Sequence, residues 1–286
     1  MIDSAPSTES IDGLFGPGSV TWQVDREIAV LIGSGSRALL MQVAHPKVAA
    51  AVAEHSRYRS DPLGRLRDTL DAIYSFAFAD TAHALSVIRS VNGLHAHVVG
   101  STADGQPYAA LDPRLLLWVY ATLIDSSLLA YETLVASLSE AQRERYYAEF
   151  KHAGPAWGIP PADFPPSLEA LRAWMAGLIA SGEVTVTEQG KHVGRFILEP
   201  PVWWLPPPAA LPLKLLTTWL LPAPLRDGFG FAWGPRRERF MQLTAALSRA
   251  VVPRLPGVAR DLPIARAAER RVRTRGARPG RATAAR

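Results

Sequence analysis

Histidine is concentrated in one stretch of this chain, residues 44–100, which holds five of the seven histidines and the arginine-rich turn RYRSDPLGRLRDT. Within it, the segment from Asp80 to Val99 has the periodicity of an amphipathic helix. One face of this helix is apolar and carries a single imidazole: Ala84, Ile88, Val91, His95, Val98. A buried imidazole needs a hydrogen-bond partner or a metal. His95 is therefore predicted to be either a hydrogen-bonded core residue or a metal ligand.

Other metal and nucleophile chemistries have little support. The chain has no cysteine, which excludes disulfides, thiolate zinc sites, cysteine-ligated iron–sulfur clusters and a cysteine nucleophile. Neither Glu54-His55 nor His95-Ala96-His97 has the H-E-x-x-H spacing of a zinc hydrolase, and His95 and His97 would face apart on a helix. The G-x-S-x-G and P-loop motifs are also missing. Haem requires one well-placed histidine, an apolar pocket and a cation, and this chain can supply all three.

An arginine and a threonine lie beside the apolar stripe of the preceding predicted helix. That helix begins at Asp61-Pro62, with proline in its first turn. The stripe consists of Leu66, Leu70, Ile73 and Ala77. Arg65, Thr69 and Phe76 cluster at its edge, where they could line a pocket. The alternative is an arginine that extends from a core helix into solvent.

A dinucleotide-binding motif is a second interpretation. Gly33, Gly35 and Ala38 follow the apolar run IAVLI and fit G-x-G-x-x-A, with Glu54 about twenty residues further on. An NAD-dependent oxidoreductase is therefore an alternative function. However, the alanine-rich text between Ala38 and Glu54 has no second strand pattern. The competing interpretation is two helices that pack closely through small residues.

Charge and the two ends of the chain limit the partners. The net charge is +5, but residues 266–286 contribute eight arginines and one acid, so the tail carries +7 and the rest −2. The body thus has no basic face for nucleic acid, and the tail 266–286 is predicted to be disordered. Peripheral membrane contact, or a non-catalytic helical protein that binds lipid or a partner, stays an alternative. Residues 1–20 are predicted to be a flexible lead-in without signal-peptide character, so we expect a cytoplasmic protein.

The rest of the sequence predicts an all-α protein with one domain over residues 21–265. Asp112-Pro113 opens the longest apolar helix, which Asp125 and Glu132 interrupt, so we expect a buried core helix rather than a membrane span. Ser139 and Gln142 form a capping box for the next helix. Residues 183–198 weakly predict a short strand pair. The proline-rich segment 199–225 is expected to wrap the core.

Three segments together resemble the MpaB/rubber-oxygenase catalytic-domain family, which includes the latex-clearing proteins. They are GSGSRALLMQVAHPKVAAAVAEHSRYRSDPLGRLRDTLDAIYSFAFAD, VNGLHAHVVG and DPRLLLWVYATLIDSSLLAYE. The likeness spans about residues 15–265 and is stronger to an uncharacterised actinobacterial branch than to the rubber oxygenases. It implies an all-helical fold with a globin-like core that holds haem b. It also implies oxidative chemistry, including dioxygen-dependent cleavage of carbon–carbon double bonds in isoprenoid chains.

The resemblance also assigns roles to residues. His95 matches the proximal histidine, and Arg65 and Thr69 match the distal arginine and threonine of the rubber enzymes. Asp68 stands where those enzymes have a lysine ligand, and Tyr120 stands where many relatives have a histidine. The family's candidate base, a glutamate, maps loosely onto Glu54.

The resulting prediction is a haem b-dependent oxygenase or oxidoreductase that acts on an apolar organic substrate, with an isoprenoid as one candidate. His95 is the predicted iron ligand, and Arg65, Asp68 and Thr69 are predicted to contact the cofactor. Arg65 and Thr69 would also be catalytic, and Glu54 or His55 would move protons. The oxidant would be dioxygen or peroxide.

Overall fold

The protein is described by a computed structural model that covers residues 12–199 and 207–276. Helices dominate it, joined by short turns, and the helices α1–α7 are, in order, Val20–Asp25, Ile28–Ala44, Pro46–His55, Pro62–Phe78, Thr81–His95, Pro113–Leu134 and Glu140–Ala153. The helices α8–α14 are Leu168–Ala180, Glu188–Leu198, Pro207–Leu220, Ala223–Gly228, Pro235–Val251, Gly257–Arg260 and Pro263–Gly276. Short 3₁₀ turns lie at Gly154–Trp157, Pro161–Asp163 and Val252–Arg254. The predicted all-α single domain is confirmed.

One small hairpin interrupts the helices. Strand β1 (Val99–Ser101) pairs antiparallel with strand β2 (Pro107–Ala109), and Gly100 lies opposite Tyr108. The hairpin connects α5 to α6 and packs on α3. It therefore places Tyr108 beside the end of α3.

Helices α2 and α6 form the centre of the core. Gly33 of α2 lies against Ala130 and Leu134 of α6, so closely that an added Cβ would be 2.8 Å from the Leu134 side chain. Because Gly33, Gly35 and Ala38 lie inside a continuous helix, no strand–turn–helix unit forms there. The dinucleotide-binding alternative is therefore wrong, and the interpretation as close helix packing is confirmed.

A buried arginine ties this centre together. Arg37 is only 3% exposed and donates to the Asp125 carboxylate at 2.8 Å, to Ser126 Oγ at 2.6 Å and to the Leu220 carbonyl at 2.7 Å. Arg172 adds a second ion pair to Asp125, at 2.9 Å. Burial alone would raise the pKa of Asp125, but the two arginines hold it below its usual value.

Local capping sets the helices that frame the histidine-rich stretch. His45 caps α3 by accepting from the Lys47 amide at its Nδ1 (3.2 Å), and Pro46 follows in the first turn. Asp61 caps α4 and Asp80 caps α5 in the same way. Burial lowers the pKa of His45 to about 4, which keeps this capping imidazole neutral at pH 7.

Helix α6 is long and apolar enough to cross a membrane, and so, as a bent pair with a 103° kink, are α2 and α3. A core helix passes the same length and composition test. In α6, 67% of the apolar window is buried inside the protein. The burial agrees with the predicted core position.

Several local expectations need correction. Residues 183–198 do not form a strand pair, because Glu188–Leu198 is the helix α9, capped by Thr187. The supposedly flexible lead-in is ordered from residue 12 onward, since Phe15 packs against Phe76 (ring centroids 5.0 Å apart). Residues 1–11 lie outside the described part, as do residues 200–206 of the proline-rich segment.

The arginine-rich tail is also more ordered than expected. Helix α14 runs through the predicted disordered segment to Gly276, and only residues 277–286 lie outside the description. Ala265 and Ala268 pack on Trp22 and Phe78. Arg26 forms ion pairs with Asp261, just before α14, at 2.7 Å and with Glu269, within α14, at 2.6 Å. The sequence predicted only a short helix around Ile264 to Arg270, and packing and ion pairing accompany its continuation to Gly276.

Candidate functional site

Helices α4 and α5 bring the predicted site residues Arg65 and His95 together. Arg65 lies one turn into α4, half-buried. Its guanidinium donates to the hydroxyls of Ser56 (3.3 Å) and Thr69, and Thr69 in turn donates to the Arg65 carbonyl at 2.8 Å. Burial lowers the pKa of Arg65, and within the described ranges no carboxylate forms an ion pair with it. The result is a partly desolvated cation whose described hydrogen bonds go only to neutral groups, while the charge of Asp68 acts on it without a hydrogen bond.

His95 is the last residue of helix α5 and lies close enough to Arg65 for that charge to affect its pKa. Its Nδ1 atom is buried, and no hydrogen-bond partner for it occurs among the described residues. Burial lowers the pKa of His95, and the positive charge of Arg65 lowers it further. The imidazole is therefore neutral at pH 7, which is the state that binds metals.

Two further buried polar atoms near His95 lack partners in the described structure. They are Asn92 Oδ1, one turn before His95 on α5, and Trp157 Nε1 in the adjacent 3₁₀ turn. Asn92 is held in place because its Nδ2 donates to the Ala156 carbonyl at 3.2 Å. Unpaired buried polar atoms cost stability unless water or a ligand pairs with them. Buried polar atoms without described partners also occur elsewhere in the chain, at Tyr58, Thr81, Thr217, Arg226 and Arg266. Asn92 and His95 therefore mark a candidate site only together with the nearby charge of Arg65.

A second cluster joins the end of α3 to the hairpin. Tyr108 donates to Glu54 Oε2 at 2.6 Å, and His55 Nε2 lies 3.3 Å from the same hydroxyl. Burial and the Glu54 carboxylate raise the pKa of Tyr108 to about 12. Gly100 permits this approach, since a Cβ there would lie 2.5 Å from the Tyr108 hydroxyl. Ser56, next to His55, connects this cluster to Arg65.

A known protein family matches most of this chain. The family model described as "ER-bound oxygenase mpaB/B'/Rubber oxygenase, catalytic domain" matches residues 22–250. This chain belongs to the mpaB/rubber-oxygenase catalytic-domain family. No curated protein and no solved structure gives a significant match. The membership confirms the predicted family and places the chain among oxygenase domains; helix α14 lies beyond the match.

In this mpaB/rubber-oxygenase domain, the possible metal ligands suit an iron whose other ligands come from a porphyrin rather than from the protein. No group of three or more histidine, aspartate or glutamate side chains suited to a bare metal ion occurs in the described residues. Haem needs a single protein imidazole, and the neutral, partly unpaired His95 fits that need. Apolar contact surface is also present, because Leu63, Leu66 and Leu94 are 47%, 46% and 68% exposed. Leu66 was expected to face the core with the rest of its stripe, and this expectation is wrong.

Asp68 is turned outward. Its carboxylate is exposed and pairs with exposed Arg57 at 2.7 Å. It lies one residue before Thr69 and makes no hydrogen bond or ion pair with Arg65, although its negative charge raises the pKa of Arg65 and so opposes part of the effect of burial. The residue that replaces the rubber enzymes' lysine therefore belongs to a surface ion pair.

Tyr120, the other departure from the family pattern, is a core residue. It is 4% exposed and donates to the Phe150 carbonyl at 2.9 Å. Its ring packs with Phe76, Phe150 and Phe164. Burial raises its pKa well above the usual range. It is thus a neutral structural tyrosine in this chain.

Glu54 also lines a polar cavity of about 550 Å³ between α3, β1 and α9. The opposite wall is formed by α9 through Glu188, Gln189 and His192. Arg65, Thr69 and His95 are not part of its lining. The second cluster therefore connects an open polar cavity on one side with Ser56 and Arg65 on the other.

Sequence reasoning missed Ser56, Tyr108, Asn92 and Trp157. Asn92 could have been found, because it lies three residues before His95 on the same helix face. Tyr108 carried no local signal, since its partner Glu54 is 54 residues away in the chain.

Proposed function

We propose that this protein is a haem b-dependent oxygenase that acts on an apolar organic substrate, with dioxygen or peroxide as the oxidant. His95 is the protein ligand to iron in this proposal. Membership of an oxygenase catalytic-domain family supports the reaction class. The observation that carries the proposal is the neutral imidazole of His95, whose Nδ1 has no described partner, beside Arg65, which forms no ion pair with a described carboxylate.

Haem, when bound, would supply the activation of the oxidant. Arg65 has donor capacity beyond its bonds to Ser56 and Thr69, so it can stabilise negative charge that develops on an oxygen atom in the same region. Thr69 fixes the direction of the guanidinium. Three exposed leucines on α4 and α5, Leu63, Leu66 and Leu94, offer contact surface for an apolar substrate or for the cofactor itself.

Proton movement is assigned to the second cluster. The 2.6 Å bond from Tyr108 holds Glu54 Oε2, and His55 can exchange a proton with the same hydroxyl across 3.3 Å. Glu54 also faces the polar cavity, which gives its carboxylate access to water. Asp68 is assigned no step, because Arg57 and solvent occupy its carboxylate.

A pair of histidine variants tests the proposal. We expect the haem-loaded protein to show an absorption band typical of histidine-ligated haem, and His95→Ala to abolish it. His97→Ala is the matched control, because His97 is an exposed histidine two residues away, near the same end of α5. Circular dichroism should show that both variants stay folded.

Three results would contradict it. The first is that the wild type binds no haem after reconstitution. The second is an unchanged spectrum in His95→Ala, and the third is loss of the band in His97→Ala. The first removes haem from the function, and the other two remove His95 from the role of ligand. Oxygen uptake with an unsaturated hydrocarbon chain, compared with its saturated counterpart, then tests the substrate class.

A further inference from the structure

Helix α12 exposes an apolar stripe that nothing in the described structure covers. Phe240, Leu243, Leu247 and Val251 are 58%, 72%, 65% and 44% exposed. Their spacing of three and four residues places them on one face over three turns, about 16 Å along the helix. Leu255 and Val258 continue the apolar surface beyond the helix, at 39% and 69% exposure.

The opposite face fixes α12 to the protein. Met241 and Ala245 are buried, and Ser248 Oγ donates to the Leu134 carbonyl at 2.8 Å. The acid of the first turn, Glu238, is also turned inward, since it accepts from the indole nitrogens of Trp219 (3.0 Å) and Trp233 (2.9 Å). The stripe therefore lies on the face of α12 away from these contacts, and the one carboxylate of the helix is held on the other side by the two indoles.

Arginines border this stripe. Arg236 lies at its start, and Arg239 and Arg237 project to its two sides at 100° per residue. All three are exposed, and none makes an ion pair with any described residue. Over 235–251 the helix carries four arginines and one acid, the inward-facing Glu238. Apolar side chains flanked by unpaired cations are the pattern of helices that lie in the interface of an anionic bilayer.

We propose that α12 docks this protein against an anionic lipid surface, with Phe240, Leu243 and Leu247 inserted between headgroups and Arg236, Arg237 and Arg239 against phosphates. The charge decides between a bilayer and a second copy of the chain. An isologous contact through this face would bring two unpaired arginine clusters together without acidic partners. A lipid headgroup layer supplies the missing negative charge. The proposal is independent of haem and of His95.

Vesicle flotation of the full chain tests this docking. We expect binding to vesicles of phosphatidylcholine containing phosphatidylglycerol, weaker binding to phosphatidylcholine alone, and weakening as salt is raised. Leu243→Glu with Leu247→Glu should reduce binding at least about tenfold, because apolar insertion is lost and negative charge is added. Each of Arg236→Gln and Arg239→Gln should reduce it about fivefold.

The matched control adds the same charge elsewhere. Ala173 and Ala176 are exposed on α8 and are not part of the stripe. Ala173→Glu with Ala176→Glu should therefore leave binding unchanged. Thermal unfolding of both double variants checks that the fold is kept, and this is expected because all four replaced side chains are exposed.

The outcomes separate the possible occupants. Loss of binding in the leucine variant together with its retention in the alanine variant supports the proposal. It is overturned if the wild type binds no anionic vesicles, or if the leucine variant binds as the wild type does. It is also overturned if the wild type forms a dimer that the leucine variant abolishes while vesicle binding is unaffected, since a second copy would then cover the stripe.

Discussion

Two arginines inside this protein have opposite surroundings. Arg37, between α2 and α6, is almost fully buried and bonded to a carboxylate, a hydroxyl and a carbonyl. Arg65, between α4 and α5, is half-buried and bonded to two hydroxyls, with no described acidic partner. All three guanidinium nitrogens of Arg37 donate to groups of the protein, whereas Arg65 donates through only two of its three.

The same contrast extends to the regions around them. The α2–α6 centre is close-packed and holds Ser126 and Thr122 in satisfied hydrogen bonds. Along α5, by contrast, the buried atoms Asn92 Oδ1 and His95 Nδ1 lack described partners. Thr217 Oγ1 on α10, which packs on α2, lacks a described partner too, so unpaired atoms alone do not separate the two regions. The contrast rests on the partners of the two arginines, and the following variants test it.

The largest expected effect is that of Arg37→Met. It leaves the buried Asp125 with Arg172 alone, so the free energy of unfolding should fall by about 3–5 kcal/mol. Urea unfolding measures this. Adding Asp125→Asn to Arg37→Met should recover part of the loss, because the buried carboxylate that Arg172 alone would still pair is replaced by a neutral amide. If the free energy of unfolding fell by less than about 1 kcal/mol, Arg37 would contribute no more to stability than is expected of Arg65, and the contrast would be wrong.

Asp25 tests how far neutral donors can replace a charged partner. Tyr146 donates to its carboxylate at 3.0 Å, yet burial raises the pKa of Asp25 to about 7. The unfolded chain releases this proton near its usual pKa of 3.8, so the wild-type protein loses stability as pH rises from about 4 to about 7. Asp25→Asn should thus be stabilising by about 1–3 kcal/mol near pH 8, and close to neutral near pH 4.

Urea unfolding of wild type and Asp25→Asn at both pH values measures this difference. Other titrating groups such as Glu27 and His45 are present in both proteins and cancel. An equal effect of the substitution at the two pH values would show that the Asp25 carboxyl does not titrate as expected.

Arg65→Met should behave differently from Arg37→Met. In the cofactor-free protein it removes bonds to two hydroxyls but also the cost of a partly desolvated charge, so stability should change by less than about 1 kcal/mol. Haem retention and oxygen uptake, by contrast, should fall clearly. If Arg65→Met destabilises the protein as much as Arg37→Met, then Arg65 is a structural residue.

The smallest effect is expected for Asp68→Asn. The Arg57–Asp68 pair is exposed on both sides, and such pairs contribute about 0.5 kcal/mol or less. Unfolding and haem retention should both stay close to the wild type. A marked loss of haem by Asp68→Asn with normal stability would restore the cofactor-binding role that the sequence suggested for Asp68.

Much of the helical framework was predictable because its signals are local. Asp61-Pro62, Asp112-Pro113 and the Ser139–Gln142 capping box mark helix starts through bonds to backbone amides two or three residues away. The same periodicity placed Arg65 next to Thr69, one turn apart, and this contact is present. Family membership of the chain was also readable from its motifs.

The parts that could not be predicted depend on contacts between distant segments. The apolar and β-branched residues of 183–198 suggested strands, but packing of α9 on α2 and α3 favours a helix. The N-terminal Phe15 and the tail helix α14 are ordered by aromatic stacking and ion pairs to remote residues. Leu66 fits a buried stripe by period, yet no element of the described structure covers it.

The sequence by itself determined where helices begin, that no thiolate chemistry is available, and which histidine and arginine lie on neighbouring helices. Only the tertiary structure decided that Arg37 forms an ion pair with a carboxylate while Arg65 forms none with a described one. It also decided that Tyr108 reaches Glu54 and that Asp68 faces solvent. The physical reason is the separation along the chain over which each interaction acts. Capping and periodicity act within about four residues, whereas partners for a buried charge come from whichever elements packing brings beside it.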